Sequence, residues 1–399
     1  MIKPSGVFIF ILVFMLSCSV HEETNHIQIH KLAKKTSLTL LAAGDNLFHI
    51  SIINSALKNG EYNFAPIYAE VKSLVQGADL AFINQETVMA GERFGYSGYP
   101  LFNSPQVLAR NLVNAGFDIF SIANNHTMDM GRNGLHATLD YFASLPGITV
   151  IGARKSGPSH KIITKNNITL GFLSYTYGLN GAILPANEPN LVSLINRKTM
   201  SEEITALRPL CDFLIVSMHW GEEYRLVEPD ANQKSLAVFL AEHTVDLIIG
   251  HHPHVLQRVE RLSRPDGKET LCFYSLGNFV CHQIGKERVL GGMMLVTFSK
   301  DETHPSGNDL STHDSGLVPV ICHFEPDFIT TKAYPLYMYT ERLLRKHTIR
   351  QIDNAMTLEY FHSILNKLGT TIIMRNPFQI KEGARNKAPR PRQSKGNSA

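Results

Sequence analysis

The sequence lacks an apolar run long enough to cross a bilayer as a helix. Its first apolar run covers residues 7–16, and ten helical residues rise about 15 Å, half of the hydrocarbon thickness. Lys3 before this run and the polar residues 21–26 after it are typical of a signal peptide. We therefore predict a targeting segment over residues 1–17 and no transmembrane span.

Cysteine is also scarce, with five residues in the chain. Cys18 directly follows Met15-Leu16-Ser17, which resembles a bacterial lipobox except that Met15 stands where Leu is usual. We expect a lipid on Cys18, a tether over residues 18–36, and a location in the cell envelope facing the periplasm or the exterior. The alternative is an ordinary signal peptide that contains Cys18. The other four cysteines lack metal-finger spacing and predict mostly buried free thiols.

The chain has no large excess of charge of one sign. Its 38 Lys and Arg residues against 35 Asp and Glu residues give a net charge of +3. Six basic residues and one acidic residue lie within residues 381–395, so the folded part carries no basic surplus. This distribution argues against a nucleic-acid partner. Residues 377–399 are interpreted as a basic disordered tail.

From residue 37 onward, runs rich in Ile, Leu, Val and Phe alternate with amphipathic stretches. The runs have the length of buried strands and the stretches have helical periodicity. This alternation predicts an α/β fold with helices outside the sheets. The predicted strands cover residues 38–43, 80–83, 119–123, 213–218, 247–249 and 271–276.

Helix signals separate the predicted strands. Ser104-Pro105 is a typical helix start and Gly116 a typical end, and Asp230 is a typical N-cap. The polar stretch 301–316 shows no periodicity, which predicts a surface insertion. We divide the mature chain into a domain over residues 37–335 and a helical segment over residues 336–376 that packs on it.

Polar residues follow directly after each predicted strand. Because the carboxyl ends of strands in an open α/β sheet form the ligand crevice, we expect these residues to meet there. The motifs are Gly44-Asp45-Asn46, Asn84-Gln85-Glu86, Asn124-Asn125-His126, His219-Trp220-Gly221, His251-His252-Pro253-His254 and Gly277-Asn278-Phe279.

Oxygen and imidazole ligands without thiolate predict a site for Mn, Fe or Zn. Such an ion lowers the pKa of bound water, and a histidine outside its ligand shell can protonate a leaving group. Taken singly, most of these polar residues are typical of turns or helix caps, and His219 of a core histidine with satisfied hydrogen bonds. Three histidines within residues 251–254 are hard to explain by packing and favour a metal site.

Together these motifs resemble the CapA family of capsule-synthesis or poly-γ-glutamate-synthesis proteins. The resemblance extends over approximately residues 37–298. It rests on Gly44-Asp45-Asn46-Leu47, Asn84-Gln85-Glu86-Thr87, Ala123-Asn124-Asn125-His126-Thr127, His219-Trp220-Gly221 with Glu223-Tyr224, His252-Pro253-His254 and Ser275-Leu276-Gly277-Asn278-Phe279.

The resemblance implies a four-layer α/β/β/α sandwich of the calcineurin-like metallophosphoesterase type. It implies Glu86 as the bridging carboxylate between two metals and His126 as the acid that protonates the leaving group. The implied metal ligands are Asp45, Glu86, Asn125, His219, His252 and His254.

Two positions depart from the phosphoesterase pattern. Leu47 stands where that pattern has a histidine, and Glu86 is one methylene longer than the usual aspartate. The number of bound ions, one or two, therefore stays open, and so does catalytic activity as a metal-dependent hydrolase. Possible additional ligands are His49, His251 and Asn278.

The leading hypothesis is a membrane-tethered, extracytoplasmic CapA-like protein with a metal-lined cleft. It would act in synthesis, export or anchoring of an anionic capsule polymer such as poly-γ-glutamate, alongside a polymer synthase or export complex. One alternative is a metal-dependent hydrolase of a phosphoester or amide, with a small acidic substrate and no link to capsule. Another is a non-catalytic polymer-binding module. The aromatic loop 93–103 is either a substrate-contacting flap or an ordinary surface loop.

Overall fold

Two mixed β-sheets lie at the centre of the fold in a computed structural model. The structure describes residues 35–303, 309–326 and 330–379. The predicted signal peptide, Cys18 and all but the last two residues of the tether lie outside the described residues, as does the tail from residue 380.

The first sheet has eight strands in the order β16-β15-β14-β1-β4-β5-β6, with β13 beside β1, and the second has the order β11-β12-β10-β9-β8-β7. The strands of these sheets are β1 (Lys35–Asn46), β4 (Leu80–Gln85), β5 (Ile119–Ser121), β6 (Thr149–Ile151), β7 (Lys161–Lys165), β8 (Ile168–Thr176), β9 (Phe213–His219), β10 (Leu247–His251), β11 (Val259–Ser263), β12 (Glu269–Phe273), β13 (Asn278–Val280), β14 (Leu290–Asp301), β15 (Asp309–Phe324) and β16 (Thr331–Pro335). A small separate hairpin joins β2 (Leu57–Lys58) to β3 (Glu61–Tyr62).

The strands that lead into the sequence motifs form the parallel part of each sheet. In the first sheet β1, β4, β5, β6 and β13 run parallel, whereas β14, β15 and β16 pair antiparallel. In the second sheet β8, β9, β10 and β12 run parallel between antiparallel edges. All six predicted strands are present, so their carboxyl ends point to one edge of each sheet.

Side chains alternate between two apolar layers along the second sheet. Leu214 and Val216 of β9 pack with Met200 and Leu236, which lie on helices outside this sheet. The intervening residues of β9 belong to the layer between the sheets, where the ring of Phe213 lies 4.7 Å from that of Phe298 on β14. The second sheet is therefore enclosed between the first sheet and a layer of helices.

Helices also cover the outer face of the first sheet. The ring of Phe120 on β5 lies 5.1 Å from that of Phe142, which belongs to such a helix. Together with the layer on the second sheet, this arrangement confirms the predicted four-layer α/β/β/α architecture. The helices are α1 (Ile50–Ser55), α2 (Lys72–Gly77), α3 (Val107–Ala115), α4 (Gly131–Ala143), α5 (Arg197–Leu207), α6 (Ala231–Glu242), α7 (Glu341–Lys346), α8 (Thr348–Ile352) and α9 (Leu358–Leu365).

Two of the three predicted helix-end signals agree with the structure and one differs. Asp230 begins α6 with a capping box, in which its carboxylate accepts from the backbone N–H of Gln233. Gly116 ends α3 in the left-handed conformation. Ser104 does not cap α3, because the helix starts at Val107 and the Ser104 hydroxyl instead contacts that of Thr87 at 2.9 Å.

The predicted surface insertion at residues 301–316 requires a correction. Residues 309–316 belong to the first half of β15, which pairs antiparallel with the second half of β14. The polar composition reflects the exposed position of this ribbon, since hydrogen bonding between strands does not require apolar side chains. Residues 304–308 lie outside the described residues.

The segment after β16 contains the three helices α7, α8 and α9, whose apolar side chains join the main core. Cys211, Cys272, Cys281 and Cys322 have free thiols, and all but Cys211 are buried. Among the described residues, none of the helices combines the length and the apolar character needed to cross a membrane.

Candidate metal centre

Asp45 lies at the end of β1, where a bulge after Ala43 turns its side chain into the space between the sheets. Gly44 permits this turn because a Cβ there would lie 2.0 Å from the backbone oxygen of Gly277. The same oxygen accepts the backbone N–H of Asp45 at 2.9 Å. The close approach of two backbones thus fixes the position of a fully buried carboxylate.

Four groups converge on the Asp45 carboxylate. Asn84 donates from Nδ2 to Oδ1 at 2.8 Å, and the backbone N–H of His252 donates to Oδ2 at 3.1 Å. The Nδ1 atoms of His251 and His254 lie 3.2 Å from Oδ1 and Oδ2 respectively. Burial raises the pKa of Asp45, but His251 and His254 outweigh it and hold this pKa well below its usual range.

Glu86 follows β4 and is fully buried, yet among the described residues neither of its carboxylate oxygens has a hydrogen-bond partner. The Nε2 atoms of His219 and His254 each lie 3.7 Å from Oε1. Burial raises the pKa of Glu86 well above its usual range, despite the opposing charge of His254. A buried carboxylate without hydrogen bonds is costly, so this arrangement indicates that a cation belongs beside it.

His219 ends β9 and meets the loop that follows β5. Its Nε2 atom lies 2.8 Å from Oδ1 of Asn125. The ring of Tyr177 stacks on His219 at 6.3 Å between centroids, with 7° between the planes. Burial lowers the pKa of His219 well below its usual range, so the neutral imidazole that metals bind is favoured.

The histidine run after β10 adopts a backbone that L-residues rarely take. His252 has φ of 97° and His254 has φ of 58°, and Tyr224, whose N–H donates to the oxygen of Pro253, has φ of 65°. Strained residues of this kind persist where surrounding structure holds them, and they cluster at functional sites. This loop holds the side chains of His252 and His254 near Glu86.

His252 and His254 differ in charge despite their proximity. Burial lowers the pKa of His252 to about 3. Burial also lowers that of His254, but Glu86 and Asp45 outweigh it and raise this pKa to about 9. Asn278 faces His254 with its Oδ1 atom 3.0 Å from Nδ1. A side-chain oxygen behind a ligating imidazole fixes the orientation of the ring.

Side-chain ligand atoms of Glu86, His252 and His254 lie within 4.8 Å of one another. This set fits a divalent cation on two grounds: the donors are one carboxylate and two imidazoles, and the Glu86 oxygens accept no hydrogen bond from the part of the chain that the structure describes. Asp45, Asn125 and His219 join this set through the contacts given above. The structure therefore brings together all six residues for which the sequence predicts metal ligation.

His126 lies beside this cluster and pairs with a carboxylate. Its Nδ1 atom is 2.8 Å from Oδ2 of Asp129, which also accepts the backbone N–H of Phe102 at 2.7 Å. The Phe102 ring packs edge-on against His126 at 4.7 Å between centroids. Loop 93–103 thus contacts the proposed acid through Phe102, while Tyr99 on the same loop is 80% exposed.

The three possible additional ligands occupy different positions. His251 touches Asp45 and stacks on Phe82 at 5.8 Å, which places it behind the carboxylate. Asn278 supports His254. His49 precedes α1, accepts the backbone N–H of His282 at 3.3 Å and packs against Phe102, and it is not part of the Glu86, His252 and His254 group.

The family model described as bacterial capsule synthesis protein PGA_cap matches residues 39–283 of the chain. These residues include every side chain of the cluster. The chain belongs to this family. The PGA_cap match therefore confirms the resemblance that the motifs indicate.

Two curated relatives show the same similarity. The chain is 31% identical over 247 residues to the capsule biosynthesis protein CapA of Bacillus anthracis, which covers 58% of this chain and 53% of that protein. It is 32% identical over 179 residues to the PGA biosynthesis protein CapA of Bacillus subtilis, covering 43% and 44%. The chain thus spans about half the length of the curated PGA_cap relatives it matches.

Solved structures similar to this chain include two nucleotidases. The NAD nucleotidase NadN of Haemophilus influenzae has 14% identity and a TM-score of 0.42, covering 87% of this chain and 66% of that one. The 5'-nucleotidase precursor of Thermus thermophilus has 16% identity and a TM-score of 0.42, covering 69% and 54%.

Three residues of the site were predicted neither as ligands nor as the acid, and of these only Asn84 lies in one of the predicted motifs. Asn84 bonds Asp45, Asp129 pairs with His126, and Tyr177 stacks on His219. Asn84 and Asp129 lie two and three positions from predicted site residues, so proximity in the chain was an available signal. Tyr177 follows β8, a strand that the sequence did not predict.

Proposed function

We propose that this PGA_cap protein acts in the cell envelope, tethered to the membrane through Cys18, in synthesis, export or anchoring of an anionic capsule polymer such as poly-γ-glutamate. The family match supports the capsule role. The cluster around Glu86 supports a cleft that holds one or two divalent ions of Mn, Fe or Zn. A polymer synthase or export complex is the expected protein partner.

The metal-dependent part of this proposal rests on one observation: the Glu86 carboxylate is buried without hydrogen bonds from the described residues. A buried acid without hydrogen bonds is destabilising unless a cation or a proton neutralises it. Three imidazoles face it: those of His219, His252 and His254. Packing alone does not explain a carboxylate that faces three imidazoles, whereas these are ligands that Mn, Fe and Zn prefer.

The chain's own residues suit hydrolysis of a bond in the polymer. Glu86, His252 and His254 would hold a divalent ion, which would polarise a carbonyl or phosphoryl oxygen and lower the pKa of bound water. Asp129 orients the ring of His126 through Nδ1, which leaves Nε2 to give a proton to the departing amine or alkoxide. Phe102 covers one edge of the ring and limits the access of water to it.

A hydrolase acting outside capsule synthesis is the second candidate, because the His126–Asp129 pair is an acid–base arrangement that needs no polymer. A binding module without turnover is the third, and it would use the cleft without His126 chemistry. These candidates differ in substrate and in the consequence of losing His126.

Metal analysis followed by assays on γ-glutamyl polymer and on aryl phosphates tests the proposal. We expect bound Mn, Fe or Zn and cleavage of γ-glutamyl polymer, with turnover reduced by about 10²- to 10⁴-fold and metal content kept in His126→Ala. Turnover of aryl phosphates alone would favour the general hydrolase. Bound metal without turnover would favour the binding module, and purified protein that takes up none of the three metals would overturn the metal-dependent part.

A further inference from the structure

Arg288 lies beside the candidate metal centre without an acidic partner. Among residues 35–303, 309–326 and 330–379, its guanidinium group forms neither an ion pair nor a hydrogen bond, although the side chain is half-buried. The guanidinium carbon instead lies 3.5 Å from the centroid of the Tyr224 ring. A half-buried arginine held on an aromatic face keeps its donors available for a ligand.

Tyr224 connects this arginine to the metal centre. Its ring lies 6.1 Å from that of His254, and its backbone N–H donates to the oxygen of Pro253 at 2.8 Å. Tyr224 has a left-handed backbone and is 40% exposed, so its ring lies between the buried His254 and the solvent. The order His254, Tyr224, Arg288 thus runs outward from the cluster.

Asn278 also links His254 to Arg288, in this case through the Arg288 backbone. Its Oδ1 atom faces Nδ1 of His254 at 3.0 Å, and its Nδ2 atom donates to the backbone oxygen of Arg288 at 3.0 Å. One buried amide therefore sets the position of a proposed metal ligand and of the arginine together. Through this link the folded core fixes the distance between the metal centre and the backbone of Arg288.

A turn shaped around the arginine side chain supports the same interpretation. The backbone N–H of Arg288 donates to the oxygen of Gly285 at 3.1 Å, which closes the turn. A Cβ at Gly285 would lie 3.2 Å from both Cδ and Nε of Arg288. The absence of a side chain at Gly285 leaves the space through which the arginine stem passes.

We infer that Arg288, stacked on Tyr224, is an oxyanion-binding subsite that holds a carboxylate or phosphate group of the substrate next to the metal centre. This inference rests on the proposed function and deepens it, because it names the group by which the cleft selects an acidic polymer. A planar guanidinium binds such groups through two parallel hydrogen bonds, which a lysine ammonium cannot reproduce.

The test measures binding of oligo-γ-glutamate to the metal-loaded protein by calorimetry. Arg288→Ala should weaken binding by about 10- to 100-fold, the range expected for hydrogen bonds to a charged group. Arg288→Lys should lose part of this affinity, because charge remains but the paired donors do not. Arg110→Ala, which removes an exposed arginine from α3, is the matched control and should bind as the wild type does.

Further ligands separate the two sources of the oxyanion. An oligomer with amidated carboxylates should bind weakly to the wild type and be insensitive to Arg288→Ala. A polyphosphate of matched charge that loses more affinity than oligo-γ-glutamate in Arg288→Ala would assign the subsite to phosphate. Metal content measured on each variant shows whether the neighbouring centre is intact, and the lysine variant keeps the test available if the alanine variant misfolds.

The outcomes distinguish this inference from the proposed function. If the wild type binds neither acidic oligomer, the proposed function fails and the subsite with it. If the wild type binds oligo-γ-glutamate or polyphosphate, and Arg288→Ala and Arg288→Lys bind equally well, the subsite is wrong while the proposed function stands.

Discussion

Nε2 of His219 lies 2.8 Å from Oδ1 of Asn125, although 94 positions separate the two residues. Asn125 follows a strand of the first sheet and His219 ends a strand of the second. Their contact shows that the two sheets meet at the carboxyl ends of their parallel strands. The candidate metal centre is therefore a junction between sheets, which is why its residues are scattered along the chain.

Glu86→Gln should abolish high-affinity metal binding without unfolding the protein. A ligand lost from the cluster should cost more than the roughly 10- to 100-fold that loss of an outer-shell partner costs. Because burial raises the pKa of Glu86, its ionised form destabilises the metal-free fold above the ordinary pKa of glutamate. The metal-free variant should thus unfold at or above the wild-type temperature, as calorimetry can measure.

The control for this variant is Glu242→Gln, which removes an exposed carboxylate at the end of α6. It should change neither metal content nor thermal stability. Wild-type metal stoichiometry and affinity in Glu86→Gln would contradict the assignment of Glu86 as a ligand.

Asp129→Asn should reduce turnover of the polymer by a smaller factor than His126→Ala does. General acid catalysis contributes about 10²- to 10⁴-fold, so His126→Ala should lose an amount in this range. In Asp129→Asn the imidazole remains but loses the carboxylate that holds Nδ1 at 2.8 Å, so the ring should be oriented less well for proton donation. Steady-state assays of both variants measure the two losses, and wild-type turnover in Asp129→Asn would show that Asp129 serves only to hold the Phe102 backbone.

Gly44→Ala should destabilise the fold and displace Asp45. The added methyl group would lie 2.0 Å from the Gly277 oxygen, and overpacking of this kind typically costs about 1–3 kcal/mol. Urea denaturation should show the loss, and metal titration should show weaker binding. Gly178→Ala is the matched control, since a Cβ there would meet nothing within 4 Å; equal stability of the two variants would refute this account.

His347 should contribute to loss of stability in acid. It is buried, accepts the Ile349 N–H through Nδ1 and contacts the Cys322 oxygen through Nε2 at 3.0 Å. Burial lowers its pKa to about 3. Because the folded pKa lies below the unfolded value near 6.5, stability is full above pH 6.5 and falls as pH decreases toward 3.

His347→Asn keeps a side chain that caps α8 and cannot titrate in this range. At pH 7.5 the variant should be about 1 kcal/mol less stable than the wild type, because it lacks the hydrogen bond to the Cys322 oxygen. Between pH 6.5 and 4 the unfolding free energy of the variant should fall less steeply than that of the wild type. The two slopes should differ by up to about 1.4 kcal/mol per pH unit. The exposed His362 on α9 provides the control substitution, and parallel curves for wild type and His347→Asn would disprove the assignment.

Apolar runs were sufficient to predict the strands that lead into the site. The run at residues 213–218 is apolar except for Ser217 and becomes β9, whose last residue is His219 of the cluster. The strand β8 was not predicted, because Gly171 and polar residues interrupt its apolar pattern. Gly171 is required by packing, since a Cβ there would lie 2.8 Å from Sγ of Cys211. Because β8 was not predicted, the position of Tyr177 directly after it was not predicted either.

The residues that could be ligands were predictable, whereas their relations to one another were not. Strand ends identify Asp45, Glu86 and His219, since geometry places strand ends at one edge. The bulge that turns Asp45 inward depends on the approach of Gly277, more than two hundred positions away. Contacts of this range follow from tertiary packing and leave no local pattern in the sequence.

Along the chain, the oxygen donors Asp45, Glu86 and Asn125 all precede residue 130, and the imidazoles of His219, His252 and His254 all follow residue 200. Neither half alone possesses both kinds of donor in this cluster. An N-terminal or C-terminal fragment would therefore lack the full coordination set, and tight uptake of the ion would report that both halves are present and correctly joined.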